Sequence, residues 1–245
     1  MKNKNVVFIT SIPGEVDTSY QQYCFNTWKW WCKKNDIELF HLNEPLTDVK
    51  YMKPTWQRWY SLEILESNGI EYNQVAMVDV DTMIKWDSPN FFDLTDNKFS
   101  VCVDNDNIGW VKQSIDGYKH FFKNVELDWE GYFNCGFVVL NKKHKNLCKN
   151  IVNFWKKNDN ELINLQTNLR KGTDQTPVNY MAKRDIEINY LSKKFNLTHF
   201  NRKEILNDFS FVDCGYVWHF NGFEKSWRCE IMKQTWEKIK DNYEN

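Results

Sequence analysis

The sequence predicts an α/β protein with a central, mostly parallel sheet flanked by helices. Three observations carry that class. Short apolar runs alternate with amphipathic helical patterns through roughly the first 100 residues, the order expected of βαβ units. The chain has 245 residues, and at ~100–200 residues per domain that is one large domain or two small ones. Hydrophobic residues make up 42%, aromatics 16% and charged residues 27%, a composition that excludes disordered, collagenous and low-complexity chains. A chain of this length buries roughly 70% of its unfolded surface and needs no disulfide or structural metal to fold.

The elements follow in order. Val6 to Ile12 reads as a buried first strand closed by Pro13-Gly14. Thr18 or Ser19 is placed to cap a helix running to about Lys34, whose Tyr20, Cys24, Thr27/Trp28 and Trp31 fall at helical spacing. Ile37 to Leu42 is a second strand. Pro54 suits the first turn of another helix, with Trp56, Trp59/Tyr60 and Leu65 along one side. Gln74 to Ile84 reads as one strand, apolar up to Val78 and then Asp79-Val80-Asp81. Phe99 to Val103 is a strand ending at Asp104, and Phe133 to Leu140 another, followed by a helix across Lys142 to Lys157. Asn158 to Gly172 is polar, an exposed loop or a weak helix. Asp174 to Lys183 reads as a helix with Asp174 near its N-cap, Tyr216 to Phe220 as a short strand and Trp227 to Tyr243 as a closing helix. No internal repeat or Gly/Ser-rich linker divides the chain, so residues 1–245 are expected to form a single domain.

Charge and cysteine usage narrow the function class. The 32 Lys+Arg and 33 Asp+Glu give net charge −1, so the basic footprint of a nucleic-acid binder is missing. No stretch of ~18 apolar residues occurs, so no transmembrane segment is expected. The run Val6 to Ile9 is too short for a signal-peptide core. The seven cysteines are odd in number and scattered, with no C-x-x-C pair. A disulfide framework or zinc ribbon is not expected. Reduced thiols in a cytoplasmic setting are.

Asp79-Val80-Asp81 carries the clearest chemistry. In a strand, residues i and i+2 share a face, so both carboxylates are expected to aim at one point. Ligands of open α/β sheets bind beyond the carboxyl ends of strands. Paired acidic groups there repel unless a cation lies between them, and oxygen ligands favour a hard divalent ion. The alternative is two turn or cap carboxylates at a strand end. The second signal is His219-Phe-Asn-Gly222-Phe-Glu-Lys225-Ser-Trp227. A His at a strand end offers a nitrogen ligand, Gly222 permits close backbone approach, and Lys225 brings a charge suited to a phosphate.

That segment resembles the H-x-x-G-x-x-K-P-W signature of family 8 glycosyltransferases, which have the GT-A fold. Asp79-Val80-Asp81, with its Val-Ala-Met-Val flank, resembles their D-x-D motif. Phe133-Asn134-Cys135-Gly136-Phe137 and Gly172-Thr173-Asp174-Gln175 resemble two further segments in the same order. The similarity spans about Val6 to Trp227. It implies a metal-dependent transferase that moves a sugar from a nucleotide-sugar donor, usually a UDP-sugar, to a saccharide or other hydroxyl acceptor with retention of configuration. By the same resemblance Asp79, Asp81 and His219 would hold Mn²⁺ (or Mg²⁺). Asn134, Asp174 and Gln175 would face the sugar. Lys225 and Gly222 would meet the diphosphate, Thr10 and Ser11 the nucleoside, and Arg58 would stand near the donor. The nucleotide-binding half would be about residues 1–104 and the acceptor half about 105–245. Ser226 stands where the signature has Pro, and the family's usual acidic residue just after strand one has no obvious counterpart. For retention, Gln175 or Asp174 is the nearest candidate for the sugar's opposite face.

Breaking a sugar–diphosphate bond develops negative charge on the leaving phosphate, which a divalent cation and a lysine both offset. A sugar-phosphate nucleotidyltransferase would share the sheet, the acidic ligands and the nucleotide. It would also carry a Gly-rich phosphate loop after strand one, where this chain reads Ser11-Ile12-Pro13-Gly14-Glu15. A non-catalytic carbohydrate-binding homologue would have little reason to keep Asp79, Asp81, His219 and Lys225 together. Trp110, Tyr118, Phe121, Phe122 and Trp129 form either an acceptor platform or a small local core, and the packing reading is preferred. Trp28, Trp30 and Trp31 are expected in the core.

Overall fold

A computed structural model describes residues 4–12, 19–104, 107–169, 174–198 and 209–243, with the side chains of all of these except Leu169 and Lys225. Among the described residues the main sheet has six strands in the order β2-β1-β3-β6-β5-β7. These are β1 (Lys4–Thr10), β2 (Glu38–Leu42), β3 (Tyr72–Asp79), β5 (Phe99–Val103), β6 (Phe133–Asn141) and β7 (Ile188–Tyr190). Three of its five pairings are parallel, and β6 runs against both of its neighbours. A second sheet pairs β4 (Thr82–Ile84) with β8 (Val217–His219).

Strand alternation sorts the core into two layers. Val6 and Phe8 of β1 and Val75 and Met77 of β3 point to one face. Val7, Ile9, Ala76 and Val78 point to the other. The first face is covered by α2 (Pro54–Gln57), α3 (Ser61–Ser67), α4 (Ile108–Tyr118), α5 (Lys145–Leu169) and α6 (Gln175–Asp185). The second is covered by α1 (Gln21–Lys34), α7 (Phe211–Cys214) and α8 (Lys225–Ile239). Because β6 has helices on both faces, every one of its residues is buried, as the apolar run Phe137 to Leu140 requires.

The structure adjusts several local expectations. α1 begins at Gln21 with no side-chain cap, and the Ser19 hydroxyl meets the Cys229 sulfur instead; Thr18 and Pro13-Gly14 lie outside the described residues. α5 runs on to Leu169 through a non-helical residue, Asn158, so the polar stretch after Lys157 is largely helical. Its leucines and isoleucines recur at helical spacing among polar residues, and Leu162 is fully buried. The run Gln74 to Ile84 is two strands, not one: β3 ends at Asp79, and Val80-Asp81 turn into β4. The insertion aromatics mostly pack inward. Tyr118 and Phe122 are buried, Trp110 and Phe121 pack against the core, and Trp129 is exposed. Trp28 and Trp31 are fully buried, and Trp30 packs against the core partly buried. All seven cysteines are free. No helix among the described residues is long and apolar enough to cross a membrane.

Candidate active site

The carboxyl ends of β1 and β3 lie side by side, with Thr10 paired to Asp79. The chain then turns through Val80-Asp81. The Thr82 hydroxyl donates to the Asp79 carbonyl at 2.6 Å and accepts the Trp28 indole N–H at 3.0 Å, which holds the turn. β4 leaves the main sheet at this point and pairs antiparallel with β8, placing Thr82 opposite His219. The Phe220 N–H closes the junction on the Asp81 carbonyl at 2.8 Å. The two carboxylates therefore converge because of a turn and a second sheet, rather than through strand alternation.

Ligand atoms of Asp79, Asp81 and His219 lie within 4.8 Å of one another. His219 Nε2 is 3.2 Å from Asp81 Oδ1 and 3.7 Å from Asp79 Oδ2. Its other ring nitrogen, Nδ1, donates to Asn196 Oδ1 at 2.9 Å. Asn196 Nδ2 in turn donates to Asn134 Oδ1, which also accepts the Gly136 N–H. That chain of bonds fixes the imidazole with Nε2 toward the carboxylates. Two carboxylates and an imidazole whose far nitrogen is already held suit a divalent metal ion.

Each acidic group also has an arginine. Arg58, buried in the short turn after α2, sets Nη1 on Asp79 at 2.5 Å. Its Nε and Nη2 reach Asp174 Oδ2 at 3.2 and 2.8 Å, where the Trp59 indole N–H joins them at 2.7 Å. Asp174 occupies the N-cap position of α6, yet its side chain makes no cap bond. Its charge is turned to Arg58. Arg228 of α8 meets Asp81 Oδ2 at 3.1 Å. Burial raises the Asp79 carboxyl, with Arg58 and His219 offsetting part of that. Burial would raise Asp81 too, but His219 and Arg228 bring it down to about 2. Burial would lower His219, and the Asp81 and Asp79 charges overcome it and leave it raised.

Beside this cluster a second polar group forms at the carboxyl end of β5. Asp104 Oδ2 accepts from Gln175 Nε2 at 2.9 Å and from Asn134 Nδ2 at 3.4 Å. Gln175 Oε1 accepts the Cys135 N–H at 3.3 Å. The β5–β6 register makes this possible. Val101 pairs with Val138 but Cys102 with Asn134, so Cys135, Gly136 and Phe137 of β6 have no partner on β5 and the strand bulges beside Asn134.

A cleft of about 170 Å³ opens on the carboxylates and is lined by Thr10, Ser11, Tyr20, Asp79, Asp81 and Arg228, among others. A larger cavity of about 330 Å³ lies between the Trp59–Glu66 segment and α5, and none of its lining residues belongs to the cluster. Gly222 has φ of +73°, the left-handed conformation that favours glycine. The side chain of Lys225, and Gly172-Thr173, lie outside the described residues. Sequence reasoning thus named Thr10, Ser11, Arg58, Asp79, Asp81, Asn134, Asp174, Gln175 and His219, which the fold brings to one end of the sheet. It missed Asp104, Asn196 and Arg228. Asp104 had a usable signal, as the first polar residue after a strand. Asn196 and Arg228 had none.

Among solved structures, a glycosyltransferase involved in glycosylation of the major capsid of PBCV-1 superposes with TM-score 0.66 at 11% identity, over 94% of this chain and 99% of that one. The galactosyltransferase LgtC, solved with donor and acceptor sugar analogues, matches with TM-score 0.54 at 14% identity, over 98% and 95%. The bifunctional glycosyltransferase WbbM matches with TM-score 0.57 at 14% identity; 99% of this chain covers 52% of that one. No protein-family profile and no curated protein matches the sequence. The shared feature is the fold: a mixed α/β architecture of the GT-A glycosyltransferase type.

Proposed function

We propose that the protein is a glycosyltransferase that uses a divalent cation to move a sugar from a nucleoside-diphosphate sugar, a UDP-sugar in the first instance, to a hydroxyl acceptor. The observation that carries this reading is the Asp79–Asp81–His219 cluster, set at the carboxyl end of a GT-A-type sheet beside a cleft. Asp79, Asp81 and His219 would hold the ion, Mn²⁺ or Mg²⁺. When bound, the ion offsets charge on the departing diphosphate.

Thr10 and Ser11 would line the nucleoside end of the cleft. Gly222 lets the tail turn toward the diphosphate, where Lys225 would place its ammonium. Asp104, Asn134 and Gln175 would meet the sugar hydroxyls, because they form a connected set of donors and acceptors next to the ligands. Asp174 supports Arg58, which supports Asp79. In the transfer, the sugar's C1–O bond to phosphate breaks with its electron pair leaving on the diphosphate. The acceptor oxygen forms the new bond to C1, and its proton passes to the departing phosphate. With the charge of Asp174 taken by Arg58 and Trp59, transfer on the face the diphosphate leaves, with retention, is the reading preferred. Residues 1–104 would bind the nucleotide and 105–245 the acceptor. Seven free thiols support a reducing, cytoplasmic setting.

The test is a panel of nucleotide sugars, read as release of free nucleotide with Mn²⁺ and with excess EDTA. Release from one donor that EDTA abolishes is expected. Full turnover in EDTA would overturn the metal assignment, and no release from any donor would overturn the activity.

A further inference from the structure

We propose that Arg228 is an exchangeable counter-charge: it pairs with Asp81 in the metal-free site and turns to the donor's diphosphate when a divalent cation takes Asp81. This inference rests on the metal- and nucleotide-dependent reading above and adds a residue to it.

The two arginines of the cluster are built differently. Arg58 is enclosed, its guanidinium spanning Asp79 and Asp174. Moving it would leave buried charges unpaired, so it is a fixed support. Arg228 stands at the rim, in the first turn of α8, and lines the same cleft as Thr10, Ser11, Asp79 and Asp81. Its only ion pair among the described residues is with Asp81 Oδ2, at 3.1 Å. Its remaining bonds are long: Nη1 to the Tyr20 hydroxyl at 3.5 Å and Nη2 to the Phe223 carbonyl at 3.3 Å. Its Nε–H is buried and has no partner among the described residues. The guanidinium lies over the Tyr20 ring, 5.5 Å from ring centre to Cζ, a surface across which it can slide without losing contact. An arginine with one spare donor, weak secondary bonds and a flat support is held loosely.

Charge supplies the reason for it to move. A divalent ion on Asp79, Asp81 and His219 would lie one carboxylate away from the guanidinium. Asp81 would then stand between the ion on its Oδ1 side and the guanidinium on Oδ2, and its single negative charge does not neutralise both. A diphosphate supplies further negative charge, and its oxygens accept paired N–H donors from a guanidinium. Metal alone therefore weakens the hold of Asp81 on Arg228 with nothing to receive the arginine. A diphosphate alone must compete with Asp81 for it. Together, each ligand frees the group that the other needs, and Arg228 becomes a source of coupling between them.

The test uses the full chain with Arg228→Gln and Arg228→Met, two replacements so that one folded variant suffices, with melting curves to confirm folding. Titration calorimetry is run with Mn²⁺ alone, with UDP alone and with UDP in the presence of Mn²⁺. Arg228→Gln should bind Mn²⁺ alone about threefold to tenfold more tightly than wild type, because Asp81 is no longer occupied. It should bind UDP in Mn²⁺ at least about tenfold more weakly, and the mutual enhancement of the two ligands should shrink. Opposite signs for metal and nucleotide are the signature; an arginine that merely braced the fold would weaken both. A folded variant whose Mn²⁺ affinity is unchanged or weakened overturns the role of Arg228, while the proposed function stands if wild type binds both ligands. Wild type binding neither Mn²⁺ nor UDP at millimolar concentration overturns the function and this inference with it.

Discussion

His219 lies against the backbone at Gly136 so closely that a methyl group there would collide with Cε1 and Nδ1 of the imidazole. The residue that completes the candidate metal-binding cluster is thus seated on a bare strand. The same Gly136 N–H donates to Asn134, which anchors Asn196, which holds Nδ1 of His219. Strand β6 supplies both the space and the hydrogen bonds that aim the ring.

Gly136→Ala should therefore act on His219 first. Overpacking at a closed site costs roughly 1–3 kcal/mol. Imidazole displacement should weaken Mn²⁺ binding by tenfold or more in calorimetry, on the ~1.4 kcal/mol-per-decade scale. Unchanged Mn²⁺ affinity in a folded Gly136→Ala protein would show that the ring is not held by this contact.

Asp81→Asn removes a proposed ligand and also the counter-charge shared by His219 and Arg228. Metal binding should be lost. The melting point should fall as well, by on the order of 2–8 °C for a loss of ~1–2 kcal/mol in a chain of this size. A variant that melts like wild type would mean that neither cation depends on Asp81.

Arg58→Met leaves Asp79 and Asp174 facing each other with their shared cation removed. Stranding buried charges costs about 3–5 kcal/mol, enough for a large drop in the denaturant midpoint. Arg58→Met combined with Asp174→Asn should recover part of it. A double variant no more stable than the single would separate Asp174 from this role.

The pH dependence of stability has a distinct contribution from His144. Its Nδ1 accepts the Asn141 N–H at 3.0 Å, and burial, helped by the Lys143 charge, lowers its pKa to about 4. The unfolded chain binds that proton near the usual pKa of ~6.5. His144 therefore stabilises fully above about pH 6.5, and the contribution is lost progressively as pH falls from there through about 4, on the order of 3 kcal/mol in all. His144→Gln keeps an acceptor and removes the titration. The stability gap between wild type and this variant, from urea midpoints at about pH 7 and about pH 4.5, should close or reverse toward acid. Parallel curves would rule this out.

Local pattern determined most elements of this protein and, together with the family resemblance, named most of its candidate site. Apolar runs and helical spacing predicted β1, β2, β5, β6 and α1 within a few residues, because burial on both faces of a sheet demands those runs whatever lies far away in the chain. Asp79, Asp81 and His219 were legible because acidic pairs and a histidine at strand ends are costly unless they bind something. Tertiary structure decided the rest. That β4 pairs with β8 and that Thr82 faces His219 depend on contacts more than 130 residues apart in sequence, and the turn that carries Asp81 is held by Trp28 through Thr82. The partners of the cluster also arrive through tertiary contacts: Arg58 beside Asp174, Asn196 behind His219 and Arg228 on Asp81. Hydrophobic periodicity specifies which face of an element is buried but carries no address for the element it will meet. A charged or amide side chain acquires its role from the partner that the folded chain brings within hydrogen-bond reach.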